Sequence, residues 1–187
     1  LLGLPVHPYE RIKTLYPPGN YEMFVAIAYG NMNKNRGDVF NRIKREGYKL
    51  ASYISKNAIV LSSEIGDNVI IGPNVEIQQN VIIEDCVFIF SNSTVIHDTI
   101  VKKNCYISNG AVVGGTCYIG ENCVIGLNAT ISSKTHIKER CLIGAGAHVS
   151  SPTKEESVIL AGESKKMPYS STKLINALIG RFGTLDK

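Results

Sequence analysis

The sequence predicts a mainly β chain, a parallel β-helix of about five coils with a partial α/β unit before it and a short C-terminal helix after it. Two observations carry this expectation. First, sixteen positions spaced six residues apart, Ile59, Ile65, Ile71, Ile77, Ile83, Ile89, Val95, Val101, Ile107, Val113, Ile119, Ile125, Ile131, Ile137, Ile143 and Val149, are all Ile or Val, which marks an internal repeat. Second, the position four residues after each is small or Val almost throughout, as in Val69, Val87, Ser93, Thr99, Cys105, Ala111, Cys123 and Ala147. A six-residue period suits neither an amphipathic helix nor an alternating strand. It suits short strands joined by bends, three to a coil, with a β-branched residue pointing inward from each face beside a small neighbour. Residues 18 apart then lie above one another, roughly 4.8 Å apart along the axis, and each coil buries its inner row only against its neighbours.

The elements follow in order. Residues 1–20 contain Pro5, Pro8, Pro17 and Pro18 and are expected to be largely irregular. Tyr21 to Ala28 reads as a buried strand, and Tyr29 to Asn35 as a polar turn. Residues 36–46 carry Val39, Phe40 and Ile43 at helical spacing, with Gly47 as a natural stop. Tyr48 to Ile54 reads as another strand, giving the strand, helix, strand order of a small parallel α/β unit. The expected divisions are 1–56 for this unit, 57–152 for the β-helix, and 153–187 for a C-terminal loop and helix. Residues 171–179 place Leu174, Ile175, Leu178 and Ile179 on one face of a helix, to pack on the last coil or a neighbouring subunit.

A chain of 187 residues holds one solenoid and a modest unit at each end. No run is long or apolar enough to span a bilayer, and no basic segment, apolar segment and cleavage site follow one another at the start. The chain opens Leu1-Leu2-Gly3 without methionine, which leaves room for an upstream segment. Cys105, Cys117, Cys123 and Cys141 occupy the small position of the repeat, where they read as compact apolar fillers, and Cys86 stands apart. With no CxxC pair, reduced thiols in a cytoplasmic protein are expected. The net charge of +4 is uneven: residues 51–133 carry three basic and seven acidic side chains, residues 134–187 nine and five. An acidic body argues against nucleic acid as a partner. Lys134, Lys138, Arg140, Lys154, Lys165 and Lys166 form a basic end that is either ordinary solvated surface or, as a group, a match for the phosphates of a nucleotide-like cofactor.

Of the four histidines, His7, His136 and His148 read as polar surface or turn residues. His97 is third in its hexad, where the chain bends, so it projects outward at a corner. Stacking by 18 places Gly115 over it and Gln79 beneath it. A base on one coil beside an open glycine N–H on the next is what acyl transfer needs. The base takes a proton from the attacking amine or hydroxyl, and the N–H holds the oxyanion.

The hexads Ile65-Gly66-Asp67-Asn68-Val69, Ile119-Gly120-Glu121-Asn122-Cys123 and Ile143-Gly144-Ala145-Gly146-Ala147 resemble those of the hexapeptide-repeat, left-handed parallel β-helix acyltransferases. The left hand is implied by that resemblance, since the general rule for parallel crossovers gives the opposite. The stretch from Phe24 through Arg36, with Gly47-Tyr48-Lys49-Leu50, resembles the second half of the N-terminal domain in bacterial sugar acetyltransferases of the sialic-acid and bacillosamine type. In those proteins a first strand and a Gly-rich turn help hold the nucleotide sugar; this chain shows no such turn. Val158 to Met167 resembles the family's closing stretch, with Ser164 where a proline is expected.

His97-Asp98 resembles the subgroup's catalytic His and acidic residue. The resemblance implies His97 as general base, Asp98 as its orienting partner and Gly115 as the amide facing the thioester. Phe90 stands where an Asn near the acceptor is usual, Ile96 where Glu is frequent, and Tyr106 where a second His is common. For coenzyme A it implies a groove between two β-helices, lined by Gly115, Ile125, Gly126, Ala145 and Lys166, with Lys165 or Arg140 near the phosphates, and hence a homotrimer. The implied function is acetyl transfer from acetyl-CoA to a sugar, foremost the amine of a nucleotide-linked amino sugar in bacterial surface-glycan biosynthesis. O-acetylation and a non-enzymatic scaffold are the alternatives. A zinc carbonic anhydrase on the same coil needs three converging histidines, whereas His97 holds a different hexad position from His136 and His148 and lies far from both in sequence.

Overall fold

The computed structural model describes residues 3–61, 63–164, 166, 168 and 170–182. Its body is a left-handed β-helix of about six turns, one more than expected. Two-residue strands stack in parallel into three faces of seven, six and five strands. The seven-strand face runs from Tyr53–Ile54 to Val158–Ile159, the six-strand face from Ile59–Val60 to His148–Val149, and the five-strand face from Glu64–Ile65 to His136–Ile137. Corner one joins the seven- to the six-strand face, corner two the six- to the five-strand face, and corner three the five- back to the seven-strand face.

From Ile65 to Val149 the six-residue row points into the prism, and all but the partly covered Ile65 are at most 5% exposed. Ile59 departs from the row. It is 57% exposed, and Val60 takes the inward place beside Ile77. The first coil is one residue short, so that Ile59 pairs with Glu76, whereas the full coil that follows pairs Glu64 with Ile82.

The corners explain why the period is six. Fourteen residues spaced six apart, from Asn68 to Gly146, have φ between 52° and 72°. Asparagine, which tolerates this left-handed conformation, occupies seven of them: Asn68, Asn74, Asn80, Asn92, Asn104, Asn122 and Asn128. The small position does more than fill space. Ser93, Thr99, Cys105, Cys117 and Cys123 each donate a side-chain hydrogen bond to the carbonyl oxygen 15 residues on, at 2.9–3.1 Å. Cys141 does so 13 residues on, to Lys154 at 3.2 Å, where the last coil is shorter. Cysteine there is a compact donor as well as an apolar filler, satisfying a corner carbonyl that the strand ladder leaves open.

The N-terminal segment wraps corner three and the seven-strand face. A 3-10 turn and the helix α1 (Ile12–Leu15) break the expected irregularity of residues 1–20. The expected strand over residues 21–28 shortens to β1 (Glu22–Met23), paired in parallel with β2 (Lys49–Leu50) across α2 (Lys34–Arg45). Beyond Met23 the chain bonds the solenoid instead of a sheet partner: Val25 N–H donates to Asn68 Oδ1 at 2.7 Å. Tyr53–Ile54, expected to continue the second strand, forms the first rung of the seven-strand face.

The joint is made by Arg36, which is fully buried. Its guanidinium donates to the carbonyl oxygens of Ile27, Cys86, Asn104 and Cys105 and to Asn33 Oδ1, at 2.9–3.3 Å. It also lies 4.3 Å from the centre of the Phe88 ring. Burial lowers its pKa from the usual arginine value, and the ring of carbonyl dipoles offsets the desolvation without a carboxylate. Asn33 extends the clamp, donating to Cys123 O at 3.1 Å.

After the solenoid, α3 (Ser171–Phe182) spans the helix expected over 171–179. Leu174 and Ile175 are 41% and 51% exposed, so neither is buried on the last coil of the same chain; the side chains of Leu178 and Ile179 lie outside the described set. Among the described residues no helix is long and apolar enough to cross a membrane.

Replacing Arg36 with Leu takes the guanidinium donors from the Ile27, Cys86 and Asn104 carbonyls and is expected to destabilise the fold by about 3 kcal/mol, read as a lower midpoint in chemical denaturation. All five cysteines are buried and free, and burial raises the thiol pKa of Cys86, Cys117 and Cys141. A thiol reagent is therefore expected to label none in the native protein and all five after denaturation.

Candidate active site

The site forms at corner two, where residues 96–99, 114–117 and 132–135 stack in successive rungs. Three backbone hydrogen bonds fix that register: Asp98 N–H to Gln79 O at 3.1 Å, Thr116 N–H to His97 O at 2.9 Å and Lys134 N–H to Gly115 O at 2.9 Å. The His97 side chain stays outside the prism, 46% exposed. The His97 backbone N–H donates to Gln78 Oε1 at 3.3 Å.

Asp98 takes the left-handed corner conformation, φ 56°, which turns its carboxylate back along the corner. Oδ2 lies 2.8 Å from His97 Nδ1, and Oδ1 accepts from Asn80 Nδ2 at 3.0 Å on the rung below. The Asn80 hydrogen bond first, and His97 second, hold this carboxyl below the ordinary aspartate range. An ionised Asp98 fixes the imidazole proton on Nδ1 and leaves the Nε2 lone pair free, the tautomer a general base requires.

Gly115 lies against that ring. A Cβ at this position would stand 2.9 Å from His97 Cε1 and 3.0 Å from Nε2, so the absent side chain is the space the imidazole uses. Its neighbour Gly114 is a packing glycine, since a Cβ there would meet the Ser133 backbone nitrogen at 2.4 Å. One expectation needs correction: the Gly115 N–H is not bare, because it donates to Ser133 Oγ at 3.2 Å. Ser133 and the exposed Lys134 share corner two with His97. Sequence reasoning misses Ser133 and names Lys134 only within the basic end, although the same spacing of 18 that picks Gly115 picks Ser133.

The other candidate residues scatter over the prism. Phe90 and Tyr106 belong to an aromatic run on the seven-strand face and corner one. Their rings are 4.8 Å apart, and Tyr106 meets Tyr29 at 4.8 Å. The N-terminal segment therefore packs on that run, and within one chain the structure does not bring it to His97. Burial, with Tyr29 close by, pushes the Tyr106 hydroxyl above its ordinary range. Ile125 cannot line a groove through its side chain, which is fully buried in the prism. Gly126 and the exposed Ala145 sit at corner one, across the six-strand face from His97, beside Leu127 at 52% exposure. Arg140 sits at corner three, where it pairs with Glu156 at 2.9 Å. Lys166 is exposed, and Lys165 lies outside the described residues. His136 packs on Tyr118 on the five-strand face, and His148 bonds Ser132 Oγ at 2.8 Å on the six-strand face, so neither joins His97.

Family models agree with this architecture. The bacterial transferase hexapeptide model (six repeats) matches residues 80–115, and the model for the hexapeptide repeat of succinyl-transferase matches residues 118–151. The body of this chain is a hexapeptide-repeat β-helix. Solved structures share its fold. The acetyltransferase domain of PglB from Neisseria gonorrhoeae FA1090 is 24% identical, covers 88% of this chain and 80% of its own, and has a TM-score of 0.79. PerB from Caulobacter crescentus, solved with CoA and GDP-perosamine, is 24% identical over 86% of this chain and 77% of its own, TM-score 0.80. WeeI from Acinetobacter baumannii AYE is 19% identical over 81% and 76%, TM-score 0.53. No curated protein matches the chain.

Gly115→Ala keeps an allowed backbone but forces the imidazole aside. It is expected to leave the melting temperature nearly unchanged and to cut turnover by about 100-fold, the cost of misplacing a catalytic group by about an ångström. Steady-state assay beside thermal unfolding checks both.

Proposed function

We propose that this hexapeptide-repeat protein is an acetyl-CoA-dependent sugar acetyltransferase, and that its acceptor is the amine of a nucleotide-linked amino sugar. The observation that carries the reading is the His97 imidazole, held by Asp98 through Nδ1 at 2.8 Å and lying against Gly115 with Nε2 free. The amine nitrogen attacks the thioester carbon while Nε2 accepts the proton that the nitrogen sheds. The carbonyl π pair moves to oxygen, and the oxyanion is held at corner two beside the base. Collapse restores the carbonyl, breaks the carbon–sulfur bond, and returns the proton from His97 to the departing thiolate.

Support for the donor comes from proteins of the same fold. The PglB domain has been solved with acetyl coenzyme A, and PerB with CoA and GDP-perosamine, as has a GDP-perosamine N-acetyl transferase from the same organism. In this chain the six-strand face, with His97 and Lys134 along corner two and Gly126 and Ala145 along corner one, offers an extended strip for a pantetheine arm. Lys134 stands two rungs, roughly 9.6 Å, beyond Asp98, within reach of the phosphates, whereas Arg140 faces another corner and is already paired. Phe90 and Tyr106 serve the acceptor only from a second copy, which makes the working unit a homotrimer with each site shared between chains. The exposed Leu127 and Ala145 are the surfaces such a neighbour covers.

The decisive experiment offers purified protein acetyl-CoA with a panel of nucleotide-linked amino sugars and neutral sugars and follows thiol release. Turnover confined to amino sugars is expected; turnover on hydroxyl acceptors alone would reassign the nucleophile, and no turnover with any acceptor would leave a scaffold. His97→Ala is expected to lower kcat by at least about 100-fold. Asp98→Asn keeps the shape of the side chain but no longer holds the imidazole proton on Nδ1, so it is expected to lower kcat by about 10- to 100-fold in the same assay.

A further inference from the structure

The Gly115 amide, the natural oxyanion donor at this corner, is already engaged by the Ser133 hydroxyl at 3.2 Å. Ser133 is exposed on the next rung, and its own hydroxyl proton has no partner among the described residues. A hydroxyl carries one proton and two acceptor sites, so it can receive the amide hydrogen bond and pass another on.

We propose that the Ser133 hydroxyl, with the Gly115 N–H behind it, is the group that donates to the thioester carbonyl oxygen. This rests on the acetyl-transfer reading above. Corner two sets the three groups in order on consecutive rungs: the base at His97, the glycine whose missing side chain gives the imidazole its place, and the hydroxyl beyond it. The amide bond polarises the hydroxyl and strengthens what it donates, as in any chain of hydrogen bonds.

Comparison with the equivalent contacts elsewhere sharpens the assignment. At corner three, Asp67 N–H is capped by Asp85 Oδ1 at 2.8 Å, and at corner two His97 N–H is capped by Gln78 Oε1, oxygens with no proton to hand on. Hydroxyl caps such as Thr99 on Cys117 N–H and Ser52 on Val69 N–H have already given their proton, to Gly114 O and Gly66 O. At Gly115 the cap is neutral and carries a proton, whereas a carboxylate there would set negative charge where the oxyanion forms. As the amine nitrogen bonds to carbon and the π pair moves to oxygen, Ser133 gives a hydrogen bond and keeps its proton. The only proton transferred passes from nitrogen to His97 Nε2 and then to the thiolate.

The test compares wild type, Ser133→Ala, Ser133→Thr and His97→Ala, reading kcat, KM for acetyl-CoA and melting temperature. Ser133→Ala is expected to lower kcat about 10- to 100-fold, with KM within about threefold and the melting temperature unchanged, since the side chain is exposed. Ser133→Thr, which keeps the hydroxyl, is expected to recover most of the rate. Wild-type or higher kcat in Ser133→Ala would make the freed amide the donor and overturn the proposal. A loss lying wholly in KM, or one shared by Ser133→Thr with a lowered melting temperature, would overturn it too. Failure of the underlying reading looks different: wild type releases no thiol with any acceptor, or His97→Ala turns over normally.

Discussion

Everything in this molecule depends on vertical register, each hexad stacking on the third one before it, and the corners enforce that register. A left-handed residue at every sixth position turns the chain through the same angle each time. Backbone N–H groups at the corners then donate to the rung below, as Asp98 does to Gln79 and Thr116 to His97. Because each coil is closed by the same turn, one side chain fixes the height of the next. Gln79, His97, Gly115 and Ser133 come to one corner from four successive coils. A solenoid thereby builds a site from distant residues using contacts that are all to nearest neighbours.

The interior shows how such a narrow prism stays satisfied. Three short strands per coil pair most of the backbone, but each corner leaves carbonyls pointing inward. Ser, Thr and Cys at the small position answer them from within. Where the outside of corner three is covered, Arg36 and Asn33 answer others from the N-terminal segment. A buried cation without a carboxylate is costly in an apolar core. It is tolerable here because helical stacking presents a column of carbonyl dipoles to one guanidinium, and for the same reason the N-terminal segment belongs to the solenoid and does not merely precede it.

The fold is legible in the sequence because its signal is redundant: sixteen Ile or Val positions make the same statement. Ile59 breaks the pattern because a six-residue count cannot detect a coil one residue short; Val60 is equally β-branched and takes the inward place. The asparagines that recur at the corners are equally visible and explain the period better than the inner row does, since the left-handed φ they tolerate is the cause of the bend. His97, Asp98 and Gly115 are legible because stacking is arithmetic. Ser133 needs only one more addition of 18. What arithmetic cannot give is direction around the prism: Phe90 and Tyr106 lie within nine residues of His97 in sequence yet at corner one and on the seven-strand face, where Tyr29 packs on Tyr106. Likewise Arg140 shares the basic end of the chain with Lys134 but not its corner. In a solenoid, proximity in sequence predicts distance poorly, and proximity modulo 18 predicts it well.

Exposure of the His97–Asp98 pair is the remaining physical consequence. With its side chain 46% exposed and Asp98 at 49%, the His97–Asp98 pair sits in water when the chain is alone, and water weakens every electrostatic contact it makes. The geometry of the pair is nevertheless set before any ligand arrives, by the left-handed turn at Asp98, the Asn80 hydrogen bond and the backbone register. The rung supplies orientation, which costs nothing further at the moment of reaction. On the proposed reading, exclusion of water falls to the thioester arm and a neighbouring chain, which together would close the six-strand face. Dividing the task this way would let a rigid repeat fix the orientation of the pair and leave the removal of water to the seated reactants.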